Sequence, residues 1–290
     1  MQAGSAPAGG AGAGGGAPAA MDASAAALEQ HPSFVFIKRR MAGGAAADGE
    51  VYAKLETRAG DTVALLARRR ERIEAAAGEA GPGAVAIACD VTDEASCRSA
   101  IDEAAEVLGG IDNVVYTPAV GPIVRLADTD ADTWRRVFDT NVIGASLVTA
   151  AALPHLTAST GKAVYLSSDA GTFGPPWPGL GAYGVSKAAL ERLVDAWRAE
   201  HPSLGFTCLV VGECAGGEGD AQTGMNTGWD MDLAMKAVPI WVARGVMPGN
   251  LMPVEDLIAV VHTILRTNAA TSMPVVVARG APGGPAVLAD

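Results

Sequence analysis

The sequence predicts an α/β protein built on a doubly wound parallel sheet. Short apolar runs alternate with longer helical patterns along the chain, and this βαβ alternation is typical of parallel sheets. Most of the runs are continuously apolar, as expected of strands that helices cover on both faces. The 290 residues are 49% hydrophobic and 18% charged, which provides apolar material for one sizeable core. A single domain over residues 33–290 is therefore expected.

The predicted strands are short and rich in β-branched residues. They are 34–37, 62–67, 84–89, 113–116, 163–166, 206–211 and 274–278. Helical patterns occupy 50–58, 69–79, 94–108, 132–155, 183–200 and 254–267. The last of these begins after Pro253 and carries Glu255 and Asp256 in its first turn, where acidic side chains favour a helix start.

Two segments depart from the alternation. Residues 1–32 are almost entirely Ala, Gly, Ser and Pro, which predicts disorder because such a chain cannot bury enough apolar surface. Residues 212–252 combine many glycines with large apolar side chains, and we interpret them as a lid over a substrate. An insertion packed on the core is the alternative. The large side chains are Trp229, Met231, Met235, Trp241 and Met247.

The composition excludes several classes of partner. A formal net charge of -11 repels the phosphates of nucleic acids and the headgroups of anionic membranes, so neither is expected to bind. The apolar run 34–37 is too short to span a bilayer or to form a signal sequence. The cysteines show no CxxC or zinc-ligand spacing, which favours reduced thiols in a cytoplasmic protein. No pair of histidines has helical i, i+4 spacing, so no metal site is expected.

Tyr183 and Lys187 stand four residues apart at the start of the predicted helix 183–200, so both side chains emerge on one side. A phenol must lose about three pKa units to act as an acid or base at neutral pH, and a nearby ammonium can supply part of this change. Alone, the pair is a weak signal. A solvated lysine beside a partly buried tyrosine is the structural alternative.

Three further motifs occur in a fixed order with this pair. Asp90-Val91 follows a strand, Thr140-Asn141-Val142-Ile143-Gly144 lies in a helix, and Ser167-Ser168 ends a strand fifteen residues before Tyr183. With these motifs, residues 60–280 resemble the short-chain dehydrogenase/reductase family. The resemblance implies a Rossmann-like fold and an oxidoreductase that interconverts a carbonyl and an alcohol by hydride transfer with a nicotinamide dinucleotide. It also implies a small-molecule substrate and a homodimer or homotetramer.

The resemblance implies a catalytic tetrad of Asn141, Ser168, Tyr183 and Lys187. Tyr183 would be the general acid/base, and Ser168 would hydrogen-bond the substrate oxygen. Lys187 would lower the pKa of Tyr183 and hold the nicotinamide ribose, while Asn141 would anchor a water chain that relays protons to Lys187. A helix residue bonded to a neighbouring carbonyl is the other interpretation of Asn141, and a strand-end cap is that of Ser168.

The predicted cofactor is NADP(H) in preference to NAD(H). Arg68 and Arg69 follow the strand 62–67, where dinucleotide-binding folds select between a ribose hydroxyl and a 2′-phosphate. Guanidinium groups pair well with phosphate, and no acidic residue stands there. A solvated helix start is the alternative. The resemblance also implies that Asp90 contacts the adenine, and that Tyr183 and Lys187 touch the cofactor.

The glycine-rich turn after the first strand departs from the family pattern. Ala42–Gly49 is the candidate segment, with Gly43 and Gly49 at two of the expected glycine positions. Ala47 replaces the middle glycine and puts a Cβ where the backbone should approach the pyrophosphate, and Asp48 adds a negative charge. Both changes should weaken dinucleotide binding.

Other segments near the expected site also differ. Lys38, Arg39 and Arg40 are too charged for a buried central strand, so we place the strand at 34–37 and a longer loop after it. A reading-frame error or a degenerate N-terminal end fits the same residues. Tyr116–Ala119 replaces the family's Asn-Asn-Ala-Gly, and Gly212-Glu213 replaces its Pro-Gly, which leaves Thr223 as a weak candidate for the carboxamide contact. A catalytically silent binding or scaffold protein of the same fold is therefore the alternative function.

Overall fold

The structure is a computed structural model that describes residues 35–39, 61–214, 229–247, 250–268 and 271–281. For 35–39 it describes the backbone. The alanine- and glycine-rich segment 1–32 and the predicted helix 50–58 lie outside the described residues.

Seven strands of the described chain form one sheet in the order β3-β2-β1-β4-β5-β6-β7. This order, with the switch between β1 and β4, is that of a doubly wound sheet. The strands are β1 Val35–Arg39, β2 Thr62–Ala67, β3 Ala84–Ala88, β4 Asn113–Tyr116, β5 Lys162–Ser168, β6 Gly205–Val211 and β7 Val275–Ala278. All strands except β1 run in one direction, as the sequence predicts.

The central strand β1 differs from expectation in its direction. It pairs antiparallel with both β2 and β4, so that Val35 lies opposite Tyr116 and Arg39 lies opposite Thr62. The strand includes Lys38 and Arg39, which the sequence had assigned to a loop. This register places both charged residues beside the first residues of β2 and β4, at the rim of the sheet rather than in its middle. The chain consequently leaves β1 at the amino-terminal edge of its neighbours.

Helices cover both faces of the sheet, which explains the continuously apolar strands. On one face α2, α4 and α5 share a buried core with β4 and β5, and on the other face α1 and α7 pack against β2 and β6. The helices are α1 Arg70–Ala80, α2 Glu94–Leu108, α3 Ala131–Phe138, α4 Gly144–Ser159, α5 Gly181–Glu200, α6 Met231–Ala243 and α7 Val254–Arg266.

Local capping signals fix several helix starts. The Asp93 carboxylate accepts a hydrogen bond from the backbone N–H of Ser96 at 2.6 Å, and Gly109 ends α2 with a left-handed φ of 71°. Asp130 caps α3 in the same way through the N–H of Thr133 at 2.7 Å. Such caps satisfy amides that a helix leaves unpaired, so the predicted and observed bounds of α2 coincide.

The long predicted helix 132–155 is two helices joined by a π-helical turn, Asp139–Ile143, which contains Asn141. Among the described residues, the combined stretch Ala131–Ser159 is long and apolar enough to cross a membrane, with a mean hydropathy of 1.4. Its residues Ala145, Val148 and Ala152 are buried against the sheet. Only 33% of the apolar window is buried, so packing in the core accounts for part of its apolar composition.

Candidate active site

The carboxyl edge of the sheet brings Ser168, Tyr183 and Lys187 together. Ser168 is the last residue of β5, and Tyr183 and Lys187 lie one turn apart in the first turns of α5. The Ser168 side chain lies close enough to the Tyr183 phenol to lower its pKa. The Lys187 Nζ lies 5.6 Å from the centroid of the Tyr183 ring. Three of the four predicted catalytic side chains thus lie in one group, in which Tyr183 and Lys187 are buried and Ser168 is half-buried.

The Tyr183 hydroxyl is held in its protonated form. Burial raises its pKa to about 12, the nearby Ser168 side chain opposes this rise, and the charge of Asp169 adds to it. The predicted lowering of this pKa by Lys187 stays a prediction, since burial is the largest effect on Tyr183 here. A phenol in this state is ready to donate a proton, whereas its use as a base requires a further source of positive charge.

Lys187 is almost completely buried, at 2% exposure. Burial lowers its pKa to about 8, while the nearby groups Cys208 and Glu191 oppose this change. Its Nζ donates a hydrogen bond to the carbonyl oxygen of Leu166 at 2.6 Å. The ammonium is thereby anchored to β5, on the same strand as Ser168, and it can lose its charge within a moderately alkaline range.

Asn141 is fully buried and its side-chain amide is satisfied by protein groups. Its Nδ2 donates to the Val120 carbonyl at 2.9 Å and to the Ser186 hydroxyl at 2.8 Å, and its Oδ1 accepts from the Val120 N–H at 2.8 Å. Ser186 in turn donates to the Tyr183 carbonyl at 2.7 Å. Asn141 thus fastens the π-helical turn to the backbone of α5. Its role in a water relay stays a prediction. The Asn141 Nδ2 donates to Val120 and Ser186 instead.

Tyr116, which stands where the family has an asparagine, supports the same turn. Its hydroxyl donates to the carbonyl of Thr140 at 2.5 Å. A Cβ at Gly144 would come within 2.7 Å of that hydroxyl and 2.9 Å of the Val91 carbonyl, which explains the glycine at this position. The sequence analysis missed Tyr116 and Ser186 as contributors. The signal available for Ser186 in the sequence was a polar residue directly before Lys187.

The predicted cofactor residues Arg68 and Asp90 follow neighbouring parallel strands, β2 and β3, and meet at the carboxyl edge. Burial alone would raise the pKa of Asp90, but hydrogen bonds from Thr92 and the charge of Arg68 lower it overall. Partial burial and the charges of Arg72 and Arg68 lower the pKa of Arg69. Guanidinium groups that repel one another in this way form a suitable site for an anionic group such as a phosphate.

The remaining cofactor residues, Gly43 and Gly49, lie outside the described residues, as do Thr223 and the rest of Ala42–Gly49. The chain reaches this segment from the end of β1, which lies at the edge opposite Ser168 because β1 is antiparallel. In dinucleotide-binding folds the glycine-rich turn lies at the carboxyl edge of the sheet. Among the described residues, those predicted to contact one end of a dinucleotide are Arg68, Arg69 and Asp90. Those predicted to contact the other end are Tyr183 and Lys187.

Two carboxyl groups, those of Asp169 and Glu213, border the site. Asp169 follows β5, and Glu213 follows β6. Burial raises the pKa of Glu213 to about 7, and the charge of Asp169 adds to the effect. Burial also raises the pKa of Asp169, despite the nearby Arg279. The Glu213 Oε2 is buried without a hydrogen-bond partner in the described structure. Gly212-Glu213 thus replaces the family's Pro-Gly with a carboxyl group that favours its neutral form.

Residues from 229–247 of the predicted lid belong to the same hydrophobic cluster as Tyr183. In α6, Ala234, Ala237 and Trp241 are buried in one cluster with Tyr183. The Trp229 Nε1 donates to the Gly121 carbonyl at 2.7 Å, and the Trp241 Nε1 donates to the Pro178 carbonyl at 2.8 Å. This helix, which the sequence analysis did not predict, forms an apolar wall beside the catalytic group. Movement of this wall as a lid stays a prediction.

The fold and this group of residues define a dinucleotide-dependent dehydrogenase by class. A profile described as short chain dehydrogenase matches residues 41–228. The chain belongs to this family, so the resemblance stated from the sequence and the Rossmann-like fold class are confirmed. By class it is an NAD(P)-dependent oxidoreductase.

Individual relatives have diverse names. "Inactive 2-(S)-hydroxypropyl-CoM dehydrogenase 2" from Xanthobacter autotrophicus is 33% identical over 187 residues, which cover 64% of this chain and 80% of that protein. "11-beta-hydroxysteroid dehydrogenase-like 3" from Arabidopsis thaliana is 32% identical over 176 residues, 59% of this chain and 56% of that protein. The chain therefore spans little more than half the length of the plant relative.

Solved structures share the fold at lower sequence identity. An alcohol dehydrogenase from Thermococcus sibiricus, complexed with 5-hydroxy-NADP, matches with a TM-score of 0.62 at 20% identity, over 77% of this chain and 87% of that chain. An NAD⁺-bound xylitol dehydrogenase matches with a TM-score of 0.62 at 24% identity, over 75% and 88%. These two likenesses concern the fold alone.

Proposed function

We propose that the protein is an NADP(H)-dependent oxidoreductase that interconverts a carbonyl and an alcohol, with Tyr183 as the general acid/base. The observation that carries this proposal is the group in which the Ser168 side chain lies near the buried Tyr183 phenol and the Lys187 ammonium lies 5.6 Å from the ring. These three side chains come from β5 and α5, and together they present a proton donor, a hydroxyl and a cation to one point.

The mechanism follows from the states of these groups. Bound NADPH would supply the hydride. Tyr183, protonated because burial raises its pKa, donates its proton to the carbonyl oxygen, and the Ser168 hydroxyl hydrogen-bonds the same oxygen. The Lys187 ammonium would stabilise the phenolate left behind and would hold the ribose hydroxyls of the cofactor. Asn141 keeps the helix that carries both residues fixed through Ser186.

The preference for NADP(H) is supported by the guanidinium groups at the end of β2. Arg68 and Arg69 lie beside Arg72 and raise the local positive potential. The position matches the one at which a 2′-phosphate is recognised in dinucleotide-binding folds. The solved structures with this fold include both a 5-hydroxy-NADP complex and an NAD⁺ complex, so the choice between the cofactors is argued from Arg68 and Arg69.

The substrate is proposed to be a small or medium, largely apolar carbonyl compound or secondary alcohol. Support comes from an aromatic wall of Trp177, Trp229 and Trp241. The ring centroids of Trp177 and Trp241 lie 5.1 Å apart, and those of Trp229 and Trp241 lie 6.1 Å apart. This wall is in the same buried cluster as Tyr183. Aromatic walls with few polar groups are typical of sites for apolar ligands.

A catalytically silent binding or scaffold protein is the second candidate. It is favoured by the direction of β1, which starts the segment 40–60 at the edge away from Ser168, and by Ala47 and Asp48 in the candidate turn. A relative that is named inactive fits the same idea. We rank it second because Ser168, Tyr183 and Lys187 lie near one another at the carboxyl edge of the sheet.

A fluorescence titration with NADPH separates the two candidates. The oxidoreductase should bind NADPH with a dissociation constant between about 1 μM and 1 mM, the range of typical enzyme KM values. NADH should bind more weakly. Absence of saturable binding of either cofactor would contradict the enzyme and favour the scaffold.

We further propose that the protein is cytoplasmic and that it forms a homo-oligomer. The described cysteines are all free, three of them buried, which suits a reducing compartment. A homodimer or homotetramer is what the family resemblance implies, and size-exclusion chromatography with light scattering would measure it. Small molecules are the expected partners, and within the described residues no cluster of metal-ligating side chains is present.

A further inference from the structure

One buried carboxyl group beside the catalytic residues has no part in the mechanism described above. Glu191 lies one turn after Lys187 on α5 and is only 8% exposed. Its Oε1 accepts a hydrogen bond from the Ser167 hydroxyl at 2.7 Å, and its Oε2 accepts one from the Thr172 hydroxyl. Buried carboxyl groups are rare and are normally paired.

The two hydroxyl groups lie on either side of Ser168. Ser167 directly precedes it on β5, and Thr172 stands in the turn that follows. The backbone of that turn passes so close that a Cβ at Gly171 would collide with Glu191 Oε1. A single carboxylate thus fastens the strand end that carries Ser168 to the helix that carries Tyr183 and Lys187.

Both hydroxyl groups donate to the carboxylate oxygens of Glu191. This negative charge opposes the effect of burial on Lys187. Cys208 also lies near, but burial raises the pKa of its thiol to about 12, so the thiol is neutral at physiological pH. Of the groups near Lys187, which also include Tyr183 and the Leu166 carbonyl, Glu191 is therefore the one that contributes a full negative charge.

We propose that Glu191 is a positioning residue of the active site, whose carboxylate fixes Ser168 against α5 and keeps Lys187 charged without touching substrate or cofactor. The inference deepens the proposed function and rests on it for its catalytic meaning. The two effects of Glu191, its charge near Lys187 and its hydrogen bonds beside Ser168, are present in the protein without cofactor or substrate.

The test is Glu191→Gln, which keeps the size and the hydrogen-bonding oxygen but removes the charge. The pKa of Lys187 is measured in the free protein by NMR of ¹³C-labelled lysine side chains, with Lys187→Met to assign the signal. Removing a nearby opposite charge should lower this pKa by about one unit or more. Glu200→Gln, at the exposed end of the same helix, is the matched control and should leave it unchanged.

NADPH binding provides the second measurement. The dissociation constants of the wild type and Glu191→Gln should agree at pH 6, where Lys187 is charged in both, and differ by up to about tenfold at pH 8. A merely structural role would weaken binding equally at both pH values. An unchanged pKa of Lys187 would overturn the inference, whereas a wild type that binds no NADPH but shows the pKa change would contradict only the proposed function.

Folding of the variant is checked by thermal unfolding. If Glu191→Gln does not fold, Ser167→Ala and Thr172→Val each remove one hydroxyl donor from the carboxylate while leaving its charge. These variants should loosen Ser168 and reduce kcat with little change in KM for the cofactor. Unchanged kcat in both would contradict the bracing of Ser168.

Discussion

Replacing Glu213 by glutamine is expected to stabilise the protein above neutral pH. The side chain follows β6 where relatives have Pro-Gly, and its Oε2 is buried without a partner in the described structure. A carboxylate in this position is costly because it loses its hydration and lies near Asp169. A neutral amide of the same shape avoids most of that cost.

The magnitude follows from the pKa of Glu213, which rises from 4.5 to about 7. A fully buried group with such a change would lose about 3 kcal/mol when ionised. Glu213 is partly exposed, and solvent screening reduces the expected gain of Glu213→Gln to about 1 kcal/mol. Because the folded-state pKa is raised, the native state binds the proton more tightly than the unfolded chain does. The gain is therefore absent below pH 4.5, grows up to about pH 7 and is constant above it.

Urea unfolding of both proteins at pH 5 and pH 8 measures this gain. The difference between Glu213→Gln and the wild type should be small at pH 5 and near its full size at pH 8, with the same slope m in both. Glu103→Gln, at an exposed position on α2, is the control and should show no such dependence on pH. Equal differences at the two pH values, or a loss of stability at pH 8, would refute the account of Glu213.

Two predictions concern the cofactor. Arg68→Ala should reduce the preference for NADPH over NADH by ten- to a hundredfold, since a charge-assisted pair with phosphate contributes about 1.5 to 3 kcal/mol, and an unchanged ratio of dissociation constants would exclude Arg68 from the 2′-phosphate site. Lys187→Met should lower both turnover and NADPH affinity and should abolish the weakening of wild-type binding expected above pH 8, where the ammonium loses its proton. A pH-dependent affinity that persists in Lys187→Met would assign the titration to another group.

Much of the fold follows from local signals in the sequence. The strands Thr62–Ala67 and Asn113–Tyr116 and the helix Glu94–Leu108 have their predicted bounds, because each is marked by an apolar run or by capping residues. The grouping of Ser168, Tyr183 and Lys187 also follows from strand order and helical spacing. These features depend on residues that are close in the chain.

The features that the sequence did not reveal depend on distant contacts. The direction of β1 is set by its pairing with β2 and β4, which no local pattern encodes. Helix α6 lies in a glycine-rich stretch and is stabilised by packing on the cluster around Tyr183. The raised pKa of Tyr183 follows from this burial, which the motif of Tyr183 and Lys187 does not reveal.

The central claim, that Tyr183 donates the proton in an NADPH-dependent carbonyl reduction, is tested most directly by Tyr183→Phe. The measurement is NADPH oxidation followed at 340 nm with a panel of apolar aldehydes and ketones, together with NADPH binding. Turnover should fall by about 10² to 10⁴, the usual contribution of a general acid, while the dissociation constant for NADPH stays within a few-fold of the wild type. Retention of more than about a tenth of the turnover, or a wild type that binds NADPH but reduces none of the carbonyls, would contradict it.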